Sequence, residues 1–137
     1  MIKVFFDASV IFSALYSNQG GSYRLASLVA KGKIIGVTTQ TVIEELEDNL
    51  KKFKKTTKAE LYQFISEHNF IVREKISESE IKPFLDVVDE KDAHVVAGAM
   101  LTGCDYLVTL DKKHLDNSSV KAKISKIKIA SPRQLLT

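Results

Sequence analysis

Two aspartates in this sequence each follow an apolar run, one near each end of the chain. Asp7 follows the run at residues 4–6, and Asp111 follows the run at residues 106–110. Each run predicts a buried strand that ends in a carboxylate. In an open α/β sheet, the carboxyl ends of parallel strands border the crevice where ligands bind. Two acids that are far apart in sequence can therefore meet there.

Two further acids can join this pair, because they stand near the starts of predicted helices. Glu45 follows the second predicted strand, and Asp92 lies in the first turn of a later helix. Four carboxylates at one edge repel one another and raise each other's pKa unless a cation lies among them. A cluster of oxygen donors suits Mg²⁺ or Mn²⁺ better than Zn²⁺. Such a metal activates water and stabilises charge on a phosphodiester, so hydrolysis of that bond is the predicted chemistry.

Each acid also has a structural explanation that the sequence leaves open. Asp7 is of a residue type that commonly caps a helix. Asp89 and Asp92 have the spacing of a capping box, although Asp92 shares its helix face with apolar residues. Asp111 precedes two lysines, a combination that is common in turns. The metal hypothesis therefore depends on the four acids together and not on any one of them.

The helix after the second predicted strand offers two neighbouring acids. Its apolar stripe ends at Phe53, and at about 100° per residue Glu44 lies opposite that stripe. Glu45 lies at the border of the stripe, from which its carboxylate can bend toward the edge of the sheet. Glu45 is therefore the stronger candidate and Glu44 is expected to face solvent, but both remain alternatives for the second acid.

Strands and helices alternate along the whole chain. Strands are predicted at residues 3–6, 34–37, 70–73, 106–110 and 127–129. Helices are predicted at residues 8–17, 22–31, 57–68 and 89–101, with a short helix at 78–88 that Pro83 breaks early, another helix that begins after Thr39 or Thr41 and a last turn from Pro132. This alternation predicts a three-layer α/β/α sandwich with a central, mostly parallel sheet of about five strands. At this length, residues 1–137 are expected to form a single domain.

Composition limits the partners, the cross-links and the cellular compartment that the protein can have. The 20 Lys and Arg residues exceed the 17 Asp and Glu residues, which permits a polyanionic partner. A single cysteine, Cys104, excludes an internal disulfide and a Cys-rich zinc site, and fits a reducing cytoplasm. The apolar start is interrupted by Asp7, and no apolar run approaches the length of about 20 residues that spans a bilayer. We therefore expect a soluble protein without a signal peptide or a membrane segment.

Basic residues also lie near the candidate acids. Lys112 and Lys113 directly follow the last predicted strand and its aspartate, so we expect them to contact phosphates at the rim of the crevice. His94 and His114 lack the spacing of a helical zinc site, and we expect surface or structural roles for both. The sequence thus predicts a metal site made of carboxylates and not of imidazoles.

Four segments contain the candidate acids. They are FFDASV (5–10), TTQTVIEEL (38–46), DEKDAHVVAGA (89–99) and YLVTLD (106–111). In this order and on these elements, they resemble the PIN-domain nuclease family. The resemblance implies that the catalytic and metal-binding acids are Asp7, Glu45, Asp92 and Asp111, with Asp89 as an acid outside this set and Ser9 and Thr109 as accessory polar groups.

The resemblance also implies a function. It implies a PIN-like fold and a metal-dependent endoribonuclease that cuts single-stranded RNA with Mg²⁺ or Mn²⁺. The closing segment IASPRQLL resembles the tail of small PIN proteins grouped as toxins of toxin-antitoxin pairs. The implied partners are RNA and a cognate antitoxin, with a homodimer as one form of assembly.

Three alternatives remain from the sequence. One is a PIN-like binding module without catalysis, and another is a structure-specific DNA nuclease. A third is a phosphotransferase or a haloacid-dehalogenase-like enzyme, because these enzymes also place Asp after the first strand. They need a second Asp two residues later, where this chain has Ser9. The presence of all four acids argues against the module without catalysis, and the chain lacks room for the extra DNA-binding elements of a structure-specific DNA nuclease.

Overall fold

The computed structural model describes residues 1–52 and 56–137, and these residues contain a five-stranded parallel sheet. The strands are β1 (Lys3–Phe6), β2 (Ile35–Thr39), β3 (Ile71–Arg73), β4 (Tyr106–Val108) and β5 (Lys128–Ala130). They pair in the order β3-β2-β1-β4-β5, and each pairing is parallel. The predicted α/β fold with a central parallel sheet is confirmed.

Helices fill the connections between these strands. Within the described residues they are α1 (Ala8–Tyr16), α2 (Gly21–Ala30), α3 (Gln40–Leu50), α4 (Lys58–Glu67), α5 (Glu78–Ile81), α6 (Glu90–Leu101), α7 (Ser118–Lys123) and α8 (Pro132–Leu136). None of these helices is long and apolar enough to cross a membrane. As predicted, the helix that starts at Glu78 is broken early: α5 gives way to a 3-10 turn (Lys82–Phe84), because Pro83 lacks the N–H that a longer helix needs. Phe53, placed on the stripe of α3 by the sequence, lies outside the described residues.

Two glycines show that α2 and α6 cover opposite faces of the sheet. A Cβ atom on Gly36 of β2 would lie 2.7 Å from the methyl groups of Val29 on α2. A Cβ atom on Gly98 of α6 would lie 2.9 Å from the ring of Phe5 on β1. Val4 is the register partner of Gly36, and Phe5 follows Val4, so the two side chains point to opposite faces. Glycine thus permits close approach of a helix on each face, which gives three layers.

The sheet topology brings the ends of β1 and β4 together. The chain runs outward from β1 to β2 and β3, and then returns to the other side of β1 with β4. This reversal makes the gap between the carboxyl ends of β1 and β4 a topological switch point, where open α/β sheets bind ligands. Asp7 follows β1, and Asp111 lies three residues beyond β4.

The strand predicted at 106–110 is two residues too long. The backbone N–H of Thr109 still donates to the carbonyl of Ala130 at 3.0 Å, but the N–H of Asp111 donates to the Thr109 hydroxyl at 3.0 Å. This side-chain bond turns the chain away from the sheet and leaves Leu110 exposed. The turn carries Asp111 to the edge of the sheet.

Candidate active site

All four predicted acids line one cleft at the carboxyl edge of the sheet. The cleft has a volume of about 700 Å³ and contains Asp7, Glu45, Asp92 and Asp111. Asp7 comes from the end of β1, Glu45 from α3, Asp92 from the first turn of α6 and Asp111 from the turn after β4. Four separate elements therefore converge on the switch point of the sheet.

Asp7 caps a helix and faces the cleft at the same time. Its Oδ1 atom accepts a hydrogen bond from the backbone N–H of Ala8 at 2.7 Å, at the start of α1. Its Oδ2 atom accepts from the Ser9 hydroxyl at 3.1 Å and from the Thr109 hydroxyl at 2.6 Å. The capping role and the cleft role suggested by the sequence are thus compatible, and three donors fix the orientation of the carboxylate.

The electrostatic environment of Asp7 opposes its negative charge. Burial raises the pKa of the Asp7 carboxyl, and the hydrogen bonds from Thr109 and Ser9 act in the opposite direction. The charge of Glu45 raises the same pKa further. The net effect is upward, so an ionised Asp7 is held at an energetic penalty unless a cation compensates it.

Asp92 experiences the other acids most directly. Burial raises its pKa to about 6, with added contributions from the charges of Asp111 and Asp7. A carboxyl whose pKa lies near 6 is partly protonated close to neutral pH. The arrangement is that of a like-charge cluster, which is common at functional sites and is stabilised by a bound cation.

His114 binds Asp111 and reaches Asp89. Its backbone N–H donates to Asp111 Oδ1 at 2.9 Å, and its ring Nδ1 lies 3.2 Å from Asp111 Oδ2. Its Nε2 atom lies 3.5 Å from Asp89 Oδ2. The sequence prediction gave His114 only a surface or structural role and missed its place among the acids. The spacing Asp-x-x-His after a strand, which allows an aspartate to cap the following turn, was the available signal.

Asp89 lies at the rim of the acidic group. One ligand atom from each of Asp89, Asp92 and His114 lies within 4.8 Å of the others, a separation that a shared cation could bridge. Asp89 occupies the N-cap position of α6, but its side chain makes no capping hydrogen bond. A side-chain capping box at Asp89 and Asp92 is therefore wrong as an explanation of these acids.

Glu45 and Glu44 have different surroundings, but Glu44 does not face solvent as expected, because its side chain is only about as exposed as that of Glu45 and its Oε2 atom is buried. Glu45 lines the cleft, whereas Glu44 does not and lies 3.4 Å from the ammonium group of Lys75. The Nε2 atom of His94 lies 3.8 Å from Glu45 Oε1. His94 is buried, so the surface role considered for it is wrong. The expectation failed because residues 93–99 of α6 are all buried, so this part of the helix has no solvated face on which His94 could lie.

The α1 wall of the cleft carries side chains that the sequence analysis did not select. They are Phe12, Ser13, Tyr16 and Ser17, and together with the predicted Ser9 they face Glu45 and Asn49 of α3 across the cleft. The rings of Phe12 and Tyr16 lie 4.6 Å apart. Their positions at one-turn intervals from Ser9 were the available signal, since side chains at i, i+3 and i+4 share a helix face.

The two predicted phosphate-binding lysines lie outside this cleft. Lys112 and Lys113 are exposed, and neither forms an ion pair with another described residue. Lys113 lines a neighbouring hollow of about 640 Å³ together with Asp89 and His114. Their contact with phosphate remains a prediction.

Comparison with known proteins identifies a family and solved structures that share one fold. A family model described as PIN domain matches residues 3–113. The matched segment includes all four cleft acids and ends just before His114. No curated protein sequence matches the chain significantly.

Two solved structures share the fold. PAE2754 from Pyrobaculum aerophilum is 19% identical, with a TM-score of 0.63, over 98% of this chain and 93% of that one. VapBC2 from Rickettsia felis, solved bound to a DNA fragment from its promoter, is 16% identical, with a TM-score of 0.65, over 95% of this chain and 98% of that one. At these identities the likeness shows a common fold.

Proposed function

Because the chain belongs to the PIN domain family, we propose that it is a metal-dependent endoribonuclease that hydrolyses single-stranded RNA. Family membership implies nuclease activity; the RNA substrate, the metal and the catalytic roles of individual residues are our proposals. The observation that carries them is the convergence of Asp7, Glu45, Asp92 and Asp111 on one cleft. Ser9 and Thr109 are proposed as accessory groups that orient Asp7.

The chemistry of the cleft fits a divalent cation. The four acids offer only oxygen donors, which Mg²⁺ and Mn²⁺ prefer. The pKa of Asp92 is raised to about 6, and that of Asp7 is also raised, so both carboxylates would be stabilised by a positive charge between them. When bound, such an ion activates water and stabilises charge on a phosphodiester.

The protein's own contribution is the prior orientation of these acids. Asp7 is held by Ala8, Ser9 and Thr109, and Asp111 is held by the backbone N–H of His114. Groups fixed in this way do not have to reorganise when charge develops on the substrate. We propose Asp89 as an acid that supports this set from the rim without belonging to it.

The α1 wall of the cleft supports single-stranded RNA as the substrate. Exposed bases of single strands stack on aromatic side chains, whereas bases within a duplex are not accessible to them. Phe12 and Tyr16 line the same cleft as the acids, one turn apart on α1. We propose that this wall contacts unpaired bases and that Lys112 and Lys113 contact phosphates beyond the cleft.

We further propose that the protein is the cytoplasmic toxin of a toxin-antitoxin pair. The closing segment IASPRQLL and the fold shared with VapBC2 support this setting. The proposed protein partners are a cognate antitoxin and a second copy of the chain, with residues 1–137 acting as one domain.

The products of RNA cleavage test the proposed reaction. When water attacks the phosphorus and the bond from phosphorus to the 3′-oxygen breaks, the products carry a 5′-phosphate and a 3′-hydroxyl, and the ribose 2′-hydroxyl is not used as nucleophile. Mass spectrometry of fragments from a defined single-stranded RNA should show these ends, and a 2′-deoxy substitution at the cleaved nucleotide should slow cleavage without abolishing it. Cyclic phosphate ends would contradict the proposal.

A further inference from the structure

His94 is a buried imidazole that contacts a cleft acid from behind. It is only 8% exposed, and its Nε2 atom lies 3.8 Å from Glu45 Oε1. Among the described residues, His94 is the one basic side chain that lies within ion-pair distance of the Glu45 carboxylate. The Glu45 side chain is 41% exposed at the border of α3. The buried His94 ring is therefore a fixed group that can hold the carboxylate of this long, flexible side chain in the cleft.

The protonation pattern of the ring favours donation to Glu45. The Nδ1 atom of His94 is buried and has no hydrogen-bond partner among the described residues. A neutral imidazole carries its proton on one nitrogen only. A buried N–H without a partner is rarer in folded proteins than a buried acceptor without one, so the proton belongs on Nε2, which faces Glu45.

The position of His94 on α6 links two of the acids. Asp92 and His94 are two residues apart, so their side chains point in directions about 200° apart around the helix axis. Asp92 faces the cleft near Asp111 and Asp7, whereas His94 reaches α3 on the other side. One helix thus supplies one acid directly and contacts another through an imidazole.

From this geometry we propose that His94 is a positioning residue, which donates a hydrogen bond from Nε2 to the Glu45 carboxylate and holds it ready to bind a divalent cation. The present distance is that of an electrostatic contact, and a shift of about 1 Å by the flexible Glu45 side chain gives hydrogen-bonding geometry. The proposal rests on the proposed metal site. Partners that orient metal-binding side chains affect metal affinity even though they do not touch the ion.

Three substitutions at His94 separate the donated bond from simple packing. In His94→Gln the amide nitrogen can occupy the position of Nε2, whereas the shorter side chain in His94→Asn places its amide nitrogen near Nδ1. His94→Leu retains bulk and removes every donor. We expect the Mn²⁺ dissociation constant, measured by titration calorimetry, to rise about 10-fold in His94→Leu and His94→Asn. It should stay close to the wild-type value in His94→Gln.

A double-mutant cycle with Glu45→Gln completes the test. If His94 acts through Glu45, His94→Leu should have no further effect on Mn²⁺ affinity once Glu45 has lost its charge. Thermal melting in EDTA checks that each variant folds, and the Gln and Asn variants provide the same comparison if the Leu variant does not. Equal losses of affinity in both backgrounds, or equal affinities of the Gln and Asn variants, would overturn the proposal. A wild-type protein that does not bind Mn²⁺ would overturn the metal site as well, which distinguishes the two failures.

Discussion

The hydroxyl of Thr109 donates a 2.6 Å hydrogen bond to Asp7 across 102 positions of sequence. The same oxygen accepts the backbone N–H of Asp111 at 3.0 Å. Thr109 thereby connects the acid after β1 with the turn that carries the acid after β4. Thr109 is fully buried, so these two bonds are shielded from water.

Replacing Thr109 with valine should lower activity as well as stability. Thr109→Val preserves shape and removes both hydrogen bonds, so Asp7 loses one of its three donors. We expect kcat on single-stranded RNA to fall about 10-fold, since outer hydrogen bonds to metal-binding groups have effects of this size. Thr38→Val is the matched control, because Thr38 is equally buried in β2 and its hydroxyl donates to the carbonyl of Phe6. It should lower the free energy of unfolding by about 1 kcal/mol and leave kcat unchanged. Equal kcat values for the two variants would contradict this account.

The raised pKa of Asp92 predicts a pH dependence for the metal-free protein. The ordinary pKa of an aspartate side chain is 3.8, and that of Asp92 in the folded protein is about 6. Between these values the folded state binds more protons than the unfolded state, so the free energy of unfolding falls as pH rises through this range. Above about pH 6 the penalty is complete. Asp92→Asn should remove this contribution.

Chemical denaturation in EDTA measures this effect. Asp92→Asn should unfold with the same midpoint as the wild type near pH 4 and at a higher denaturant concentration near pH 7. The comparison removes contributions that the two proteins share, including that of Asp7, whose pKa is raised in the same direction. If the difference between the two denaturation midpoints is the same at pH 4 and at pH 7, Asp92 carries no such repulsion.

Glu45 and Glu44 should behave differently although they are adjacent. Glu45→Gln removes a charge from the cleft and should lower both Mn²⁺ affinity and kcat. Glu44→Gln removes a partly exposed ion pair with Lys75 outside the cleft, and exposed pairs of this kind contribute about 0 to 1 kcal/mol. RNA cleavage rates and Mn²⁺ titrations of both variants check this assignment. An inactive Glu44→Gln beside an active Glu45→Gln would reverse it.

The sequence was sufficient to predict the sheet, because the strands are apolar and alternate regularly with helices. It was also sufficient to place Glu45 and not Glu44 at the cleft, since that placement depends on helix geometry. It missed α7, whose six residues bury only Val120 and so carry little pattern. It missed the burial of His94, because single-helix periodicity cannot show that α6 is covered on several sides. It also missed the place of His114, because the turn after β4 is set by the Asp111 and Thr109 side-chain hydrogen bonds and not by hydrophobic spacing.

Lys113 should contribute to RNA binding through charge alone. We expect Lys113→Glu to weaken binding of single-stranded RNA and to reduce the dependence of log Kd on log salt concentration by about 1. Lys33→Glu is the matched control, because Lys33 is also exposed but precedes β2, at the opposite edge of the sheet. Fluorescence anisotropy in an Asp7→Asn background measures binding without cleavage. An equal change in the salt dependence of both variants would indicate a general charge effect.

The most direct test of the account is cleavage of a 5′-labelled single-stranded RNA by the purified protein in Mn²⁺, in EDTA and with Asp92→Asn. We predict that the wild type cleaves in Mn²⁺, that EDTA stops cleavage and that added Mn²⁺ restores it. Asp92→Asn should be slower by about 100-fold, in the range seen when metal-binding groups are disturbed. Its melting temperature without metal should equal or exceed that of the wild type. Cleavage that persists undiminished in EDTA, or in Asp92→Asn, would contradict a metal-dependent active site in this cleft.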